Sequence, residues 1–341
     1  MRRRTWILAV GLLALLPIAD TVLWHIGVRR LESGFDAWAL GAGPSQMSVT
    51  RGKAVSGGWP WAATLRIRNV TLSGGEALAP DGVTWFAPSV VLRLSPMRPQ
   101  SLEIEVLGEQ QMHANGLGDA VLTGSRLMAV VSLGDQPGAI DIMADQPKLV
   151  SGPAWRVSAE RLRVHLAVPP PGETGDGVKA FAFNAESVSL PGSVIWPLGS
   201  TIASLDFDGT MEGPLPPALT PKAWATAWRD GGGSLQLQNL VLRWGPLSLT
   251  ASATLALDDQ LQPMGAGTSR VAGYAATLDA LASRGALTRS AATAAKAVLS
   301  LLAGTPGDGA TDDVDVPLTL QYRTLSMRQV PLLRLPELDW R

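Results

Sequence analysis

From Val49 onward this chain alternates apolar and polar residues, and a period of two leaves few folds open to it. Leu65-Arg-Ile67-Arg-Asn-Val70-Thr-Leu72, Leu102-Glu-Ile104-Glu-Val106 and Leu247-Ser-Leu249-Thr-Ala251-Ser-Ala253-Thr-Leu255 are clear cases. Successive side chains of a strand point to opposite faces, so each run carries one apolar face and one polar face. Turn signals separate the runs, as at Ser73-Gly74-Gly75, Pro80-Asp81-Gly82 and Asp258-Asp259-Gln260. The 36 glycines and 25 prolines among 341 residues exclude a coiled coil, which tolerates few helix breakers. A hydrophobic share of 46% with a net charge of −1 excludes a disordered chain. The expected fold is mainly β: a large antiparallel, curved or sandwich-like sheet with a few helices.

One local pattern recurs: apolar, polar, apolar, two polar, apolar, polar, apolar. It is met strictly at Leu65–Leu72, Val157–Val164, Phe183–Leu190 and Leu320–Met327, and with one exception, Val241, at Leu235–Leu242. The spacings of 92, 26 and 137 residues exclude a fixed-period solenoid. The second central polar residue moves the apolar face by one position, which a β-bulge or a tight turn absorbs. Ordinary amphipathic strands of a sandwich are the plainer reading of the same residues.

Two helices interrupt the strands. Around 220–230, Thr220 is an N-cap candidate, Pro221 fits the first turn, Leu219 can staple against Trp224, and Gly231 ends the helix. Trp224 and Trp228 lie one turn apart and share a face, which makes them a packing pair first and a ligand platform second. Around 274–303, with a break at Gly285, the stripe Leu287, Ala291, Ala294, Val298 and Leu302 is expected to lie against the sheet. Pro169–Gly177 and Gly304–Asp313 read as loops within one sheet system.

The N-terminus supplies an address. Arg2, Arg3 and Arg4 precede an apolar run from Trp6 to Ala19, about the length of a signal-peptide core. Continued to Val28, the helix covers 23 residues, or roughly 34 Å, enough to cross a hydrocarbon core of about 30 Å. Trp6 and Trp24 then mark the two interfaces, with Leu12 and Leu16 within the span. An uncleaved signal anchor is favoured over a cleaved signal peptide, because Pro17-Ile18-Ala19-Asp20 offers no convincing cleavage site. The positive-inside rule then exports the remainder. The expectation is a single-pass protein of a bacterial inner membrane, with an anchor at 1–30 and a β-rich periplasmic domain at 31–341. A subdivision of that domain near 230 is left open.

Chemistry is hard to find. There is no cysteine, hence no disulfide, thiolate metal site or Cys nucleophile. His25, His113 and His165 lack ligand-spaced neighbours, and His165 falls on the polar side of its strand. Asp206-Phe-Asp208-Gly209 lacks the other ligands of a calcium loop and reads as a strand end with a turn. Asp312, Asp313 and Asp315 read as a solvated acidic loop. No nucleophile elbow, P-loop or dinucleotide fingerprint is present, and the scattered basic residues do not suit nucleic acid. The expectation is therefore no enzyme, no cofactor and no metal.

The segment Gly232-Gly-Ser-Leu235-Gln-Leu237-Gln-Asn-Leu240-Val-Leu242-Arg-Trp244-Gly-Pro246 is the most distinctive in the chain. Together with Leu257–Gly265, the closing Val316-Pro-Leu and Val330-Pro-Leu332, Gly58-Trp59-Pro60-Trp61 and the N-terminal helix, it resembles the bacterial DUF2125 family. That resemblance brings no activity and no functional residues. In architecture alone, an anchor followed by amphipathic strands is similar to the AsmA-type periplasmic proteins, for which lipid handling is proposed. Two functions are expected to compete. In the first, an apolar sheet face that includes Leu235, Leu237, Leu240, Leu242 and Trp244, with Trp224 and Trp228 nearby, takes lipid or another amphiphile. In the second, an envelope protein partner buries that face, and the chain is a scaffold or assembly factor.

Overall fold

The computed structural model describes residues 2–41, 47–74, 82–114, 118–133, 138–168, 179–213, 220–303, 313–327 and 330–340. Within these, the side chains of 2–19, 41, 168, 301–303 and 330–333 fall outside the description. Helix α1 (Arg2–Gly41) opens the chain. It is followed by β1 (Met47–Thr50), β2 (Ala54–Gly57), β3 (Ala63–Gly74), β4 (Val83–Ser95), β5 (Arg98–Leu107), β6 (Gln110–Ala114) and β7 (Gly118–Thr123). Next come β8 (Arg126–Ser132), β9 (Gly138–Asp145), β10 (Lys148–Ser151), β11 (Trp155–Ser158), β12 (Arg161–Val168), β13 (Lys179–Ser189) and β14 (Thr201–Glu212). Helix α2 (Pro221–Asp230) precedes β15 (Ser234–Trp244), β16 (Leu247–Leu257) and β17 (Pro263–Ala272). Helices α3 (Tyr274–Ser283) and α4 (Arg289–Ala303) precede β18 (Val314–Gln321), β19 (Thr324–Met327) and β20 (Val330–Arg334).

All the described strands join one antiparallel sheet. Strands β1 and β2 lie end to end along β3, which pairs with β4. The next four positions again hold two short strands end to end: β5 with β6, β8 with β7, β9 with β10, and β12 with β11. Both tracks rejoin on β13, and β13 to β20 follow in sequence order without interruption at residue 230.

The breaks between end-to-end strands line up across the sheet as one crease. Asn69 is left-handed (φ 48°) between the pairs Arg68↔Ser89 and Val70↔Ala87, with Gly52 N–H donating to the Arg68 carbonyl beside it. The line continues through Gly108 (φ 88°), Ser125, Gln146 (φ 50°), Glu160 and Ser187 (φ 52°). Ser125, Gln146 and Glu160 N–H groups donate across it to Asp145, Glu160 and Glu186 carbonyls, so the crease keeps part of its ladder. It ends at a bulge at Ala203, the extra residue between Ile202↔Trp244 and Ser204↔Arg243.

The crease resets the alternation. On β3 the buried residues are Ala63, Leu65 and Ile67, then Val70; on the facing side of β4 they are Leu94, Leu92 and Val90, then Ala87, with Val91 buried on the other side. Each step of three replaces a step of two, so apolar side chains stay on one face on both sides of the line. Three copies of the eight-residue pattern (65–72, 157–164 and 183–190) cross this crease. The copy at 320–327 is a hairpin whose two turn residues, Tyr322 and Arg323, are both left-handed, with Leu320 opposite Leu325. The copy at 235–242 holds a bulge on β15 between Leu237↔Ala253 and Leu240↔Ala251. Because Asn69 is exposed and its φ is positive, N69G is expected to leave stability unchanged or slightly higher, while N69V costs about 1–3 kcal/mol. Denaturant unfolding of the two variants measures the difference.

Helix α1 docks on β3 and β4 through Trp24, Gly27, Val28, Leu31 and Phe35, a stripe at helical spacing. A Cβ on Gly27 would lie 2.7 Å from the Ala63 Cβ, so only glycine lets the helix come this close. The Trp24 indole donates to the Gly57 carbonyl at 3.0 Å. Among the residues whose side chains are described, no helix is long and apolar enough to cross a membrane; residues 2–19 of α1 lie outside that set. At the other end of the sheet α3 and α4 form a hairpin, and α4 rests on β18, where Leu299 and Tyr274 pack on Val314, Val316 and Met327.

Ala291, Ala294 and Val298 of the expected α4 stripe are exposed; the less exposed residues are Ala292, Ala295, Lys296 and Leu299, of which Leu299 packs on β18. The helix is rich in alanine on all sides, so the apolar pattern alone did not select a face; Leu299 packs on the β18 cluster and Lys296 pairs with Asp279 of α3. Leu302 lies outside the described side chains. Asp206-Phe-Asp208-Gly209 is the middle of β14 and not its end. Helix α2 matches its expected caps: Ala223 N–H donates to the Thr220 hydroxyl, and Gly231 N–H donates to the Ala227 carbonyl. Its expected staple residue, Leu219, lies outside the described residues.

Candidate ligand-binding face

The register places one apolar side chain next to another across almost the whole sheet. Leu65, Leu92, Ile104, Ala129, Ile142, Val164, Phe183, Phe207, Leu240 and Ala251 follow strand by strand from β3 to β16. Flanking that row run Leu102, Val131, Ile140, Leu166, Phe181, Gly209 and Leu237 on one side, and Leu127, Ala144, Leu162, Ala185, Leu205 and Leu242 on the other. The row continues to Ser269 and Val316, where the Ser269 hydroxyl donates to the Val316 carbonyl.

Helices cover only the ends of this face. Among the described residues α1 packs on β3 and β4, α2 and α3 reach β16, and α4 packs on β18. Between them Ile142 and Leu166 are 38% and 37% exposed, which is high for apolar residues in the interior of a sheet. Phe183 stacks on Phe207 with ring centroids 4.8 Å apart, and Phe181 meets Phe207 edge-on at 6.2 Å. Gly209 makes room for this cluster, since a Cβ there would lie 2.8 Å from the tip of the Phe181 ring.

The opposite face is polar, and several of its charges are paired. His165 Nδ1 and Asp141 Oδ1 are 2.7 Å apart, Arg161 Nη1 donates to Glu186 at 2.8 Å, and Asn184 donates to Asp206. Arg270 grips both Asp315 oxygens at 2.9 and 3.2 Å, which holds that carboxyl below the usual carboxylate range. A depression of about 650 Å³ lies over β9, β12, β13 and β14, where Asp141, Arg163, His165, Asn184, Asp206 and Asp208 mix with Val130, Met143, Ala182 and Val241. Its lining also takes in Ile142, Val164, Phe183 and Phe207 of the apolar row. Among the described residues no three histidine, cysteine or acidic side chains are arranged to hold a metal ion.

Of the residues singled out in the sequence, Leu235, Leu237, Leu240, Leu242 and Trp244 share the apolar face of β15 and are half-buried. Trp224 and Trp228 stack 6.0 Å apart, and the buried Trp228 donates its indole N–H to the Glu212 carbonyl, so this pair packs α2 against the end of β14. Trp244 donates to the Gly199 carbonyl at 2.7 Å. Trp24 lies against the sheet, and the side chains of Trp6, Leu12 and Leu16 lie outside the described residues. Sequence reasoning passed over the centre of the face: Ile142, Val164, Leu166, Phe181, Phe183 and Phe207. Their alternation was visible, but only the register shows that they adjoin.

A family model, "Uncharacterized protein conserved in bacteria (DUF2125)", matches residues 24–336. The chain belongs to this family. No curated protein and no solved structure matches it.

Proposed function

We propose that this DUF2125 protein binds the apolar chains of a lipid or similar amphiphile on the uncovered middle of its apolar face. It does so without catalysis, from the periplasmic side of a bacterial inner membrane. One observation carries the reading: an unbroken apolar register whose ends are covered by helices and whose centre is open to solvent. Five strands at about 4.8 Å spacing, by about 17 Å along each, give roughly 400 Å² of apolar surface. Patches of this size on monomers are commonly interaction sites.

Helix α1 supplies the tether in this reading. Because Trp24 is held by Gly57, the membrane segment is residues 6–23, about 27 Å of helix at 1.5 Å per residue. Trp59 and Trp61, 54% and 86% exposed in the turn next to Gly57, then fall at the level of an interfacial aromatic belt.

A photoreactive residue tests the proposal in the full-length protein in its native membrane. Leu166 and His165 are sequence neighbours on opposite faces. A probe at 166 is expected to give lipid adducts, and one at 165 few or none. Protein adducts at 166 in place of lipid would establish the scaffold reading; equal lipid labelling at both positions would mean that the face has no special affinity.

A further inference from the structure

Among the described residues from β8 to β18, the apolar face bears one charge, Lys179. Lys179 opens β13 opposite Met211, two residues before Phe181, so it points to the same side as Phe181 and Phe183. Every other charged residue in the register from β8 to β18 falls on the polar face, among them Arg163, Asp206, Glu212, Arg243 and Arg270. On that face Arg161, His165 and Arg270 have carboxylate partners, while Lys179, like Arg163 and Arg243, forms no ion pair among the described residues; Lys179 alone of these stands on the apolar side. Burial also pushes its ammonium below the usual lysine range, as expected for a cation beside apolar side chains. A lysine at a rim lays its stem along the apolar surface and presents its head at the boundary with water. It is the geometry of an amphiphile, with chains on the apolar side and a head at the edge.

We infer that the amphiphile is anionic, with its phosphate or carboxylate headgroup paired to Lys179 and its chains running over Phe181, Phe183 and Phe207. This rests on the apolar-face reading and adds the headgroup class to it. The full-length protein is reconstituted in vesicles of equal parts phosphatidylglycerol and phosphatidylcholine with a minor share of oleate, carrying the photoreactive residue at 166. Adduct masses then report the headgroup. Wild type is expected to favour phosphatidylglycerol over phosphatidylcholine by about fivefold, the size of a partly exposed ion pair. K179Q is expected to bring that ratio to one while total lipid labelling persists, and K179R to restore it. Adducts dominated by oleate, and lost in K179Q, identify a carboxylate as the head. A ratio that is the same in wild type and K179Q overturns the inference while the apolar-face reading stands. Absence of lipid adducts in every variant overturns both.

Discussion

Replacing Ile142 by lysine is expected to leave the protein folded and to remove nearly all of its lipid labelling. Ile142 sits between Ala129 and Val164 in the central row, yet 38% of it is exposed. In the empty protein a lysine there reaches water with its ammonium and keeps its stem on the sheet, so unfolding midpoints should move little. With acyl chains over the face, the same ammonium must lose water without a partner. That costs several kcal/mol, a loss of about a hundredfold or more in occupancy. Adduct yield from the probe at 166, compared between wild type and I142K, measures it. Undiminished labelling would mean that the chains avoid the middle of the sheet.

The second large effect concerns how α1 is held. Leu31 is 5% exposed between the helix and the Leu65–Ile67 cluster of β3. An aspartate there buries a carboxylate without a counter-charge, and L31D is expected to cost about 3–5 kcal/mol. The loss should be local first. Hydrogen exchange of residues 20–41 should accelerate, and Trp24 fluorescence should shift as its bond to Gly57 breaks. L40D, at a position 81% exposed on the same helix, is the control and should change neither. If residues 20–41 stay protected in L31D, the docked stripe does not hold the helix.

Much of the sheet was legible because facing is a local property. Leu65, Ile67, Val70 and Leu72 announce a strand with a phase change, and the structure puts a left-handed residue at Asn69, at the point of change. The helix at 220–230 was equally legible, since Thr220, Pro221 and Gly231 act on backbone groups within four residues. Less could be read where local signals are ambiguous. On α4, alanines on every side left the packing stripe to be chosen by tertiary contacts such as Leu299 on Val314 and Val316. On β14 a glycine after two aspartates looked like a turn. Its role is spatial, as it clears room for the Gln236 carbonyl of β15 and for the Phe181 ring of β13.

The candidate site was legible in kind but not in place. Leu235, Leu237, Leu240 and Leu242 do lie on the face, at its β15 side, while its centre is built from β9, β12, β13 and β14. Nothing in those four segments taken singly marks them off from other amphipathic strands.

By itself, the sequence determined that the strands have two unlike faces, where their alternation changes phase, and where helices begin and end. Each is set by residues a few positions apart. The tertiary structure decided that the phase changes align into one crease, and that the apolar sides of β3 to β18 merge into a single face. It also decided that α1 and α4 cover only the ends of that face. Register and coverage depend on contacts between residues tens to hundreds of positions apart, and no local period encodes them.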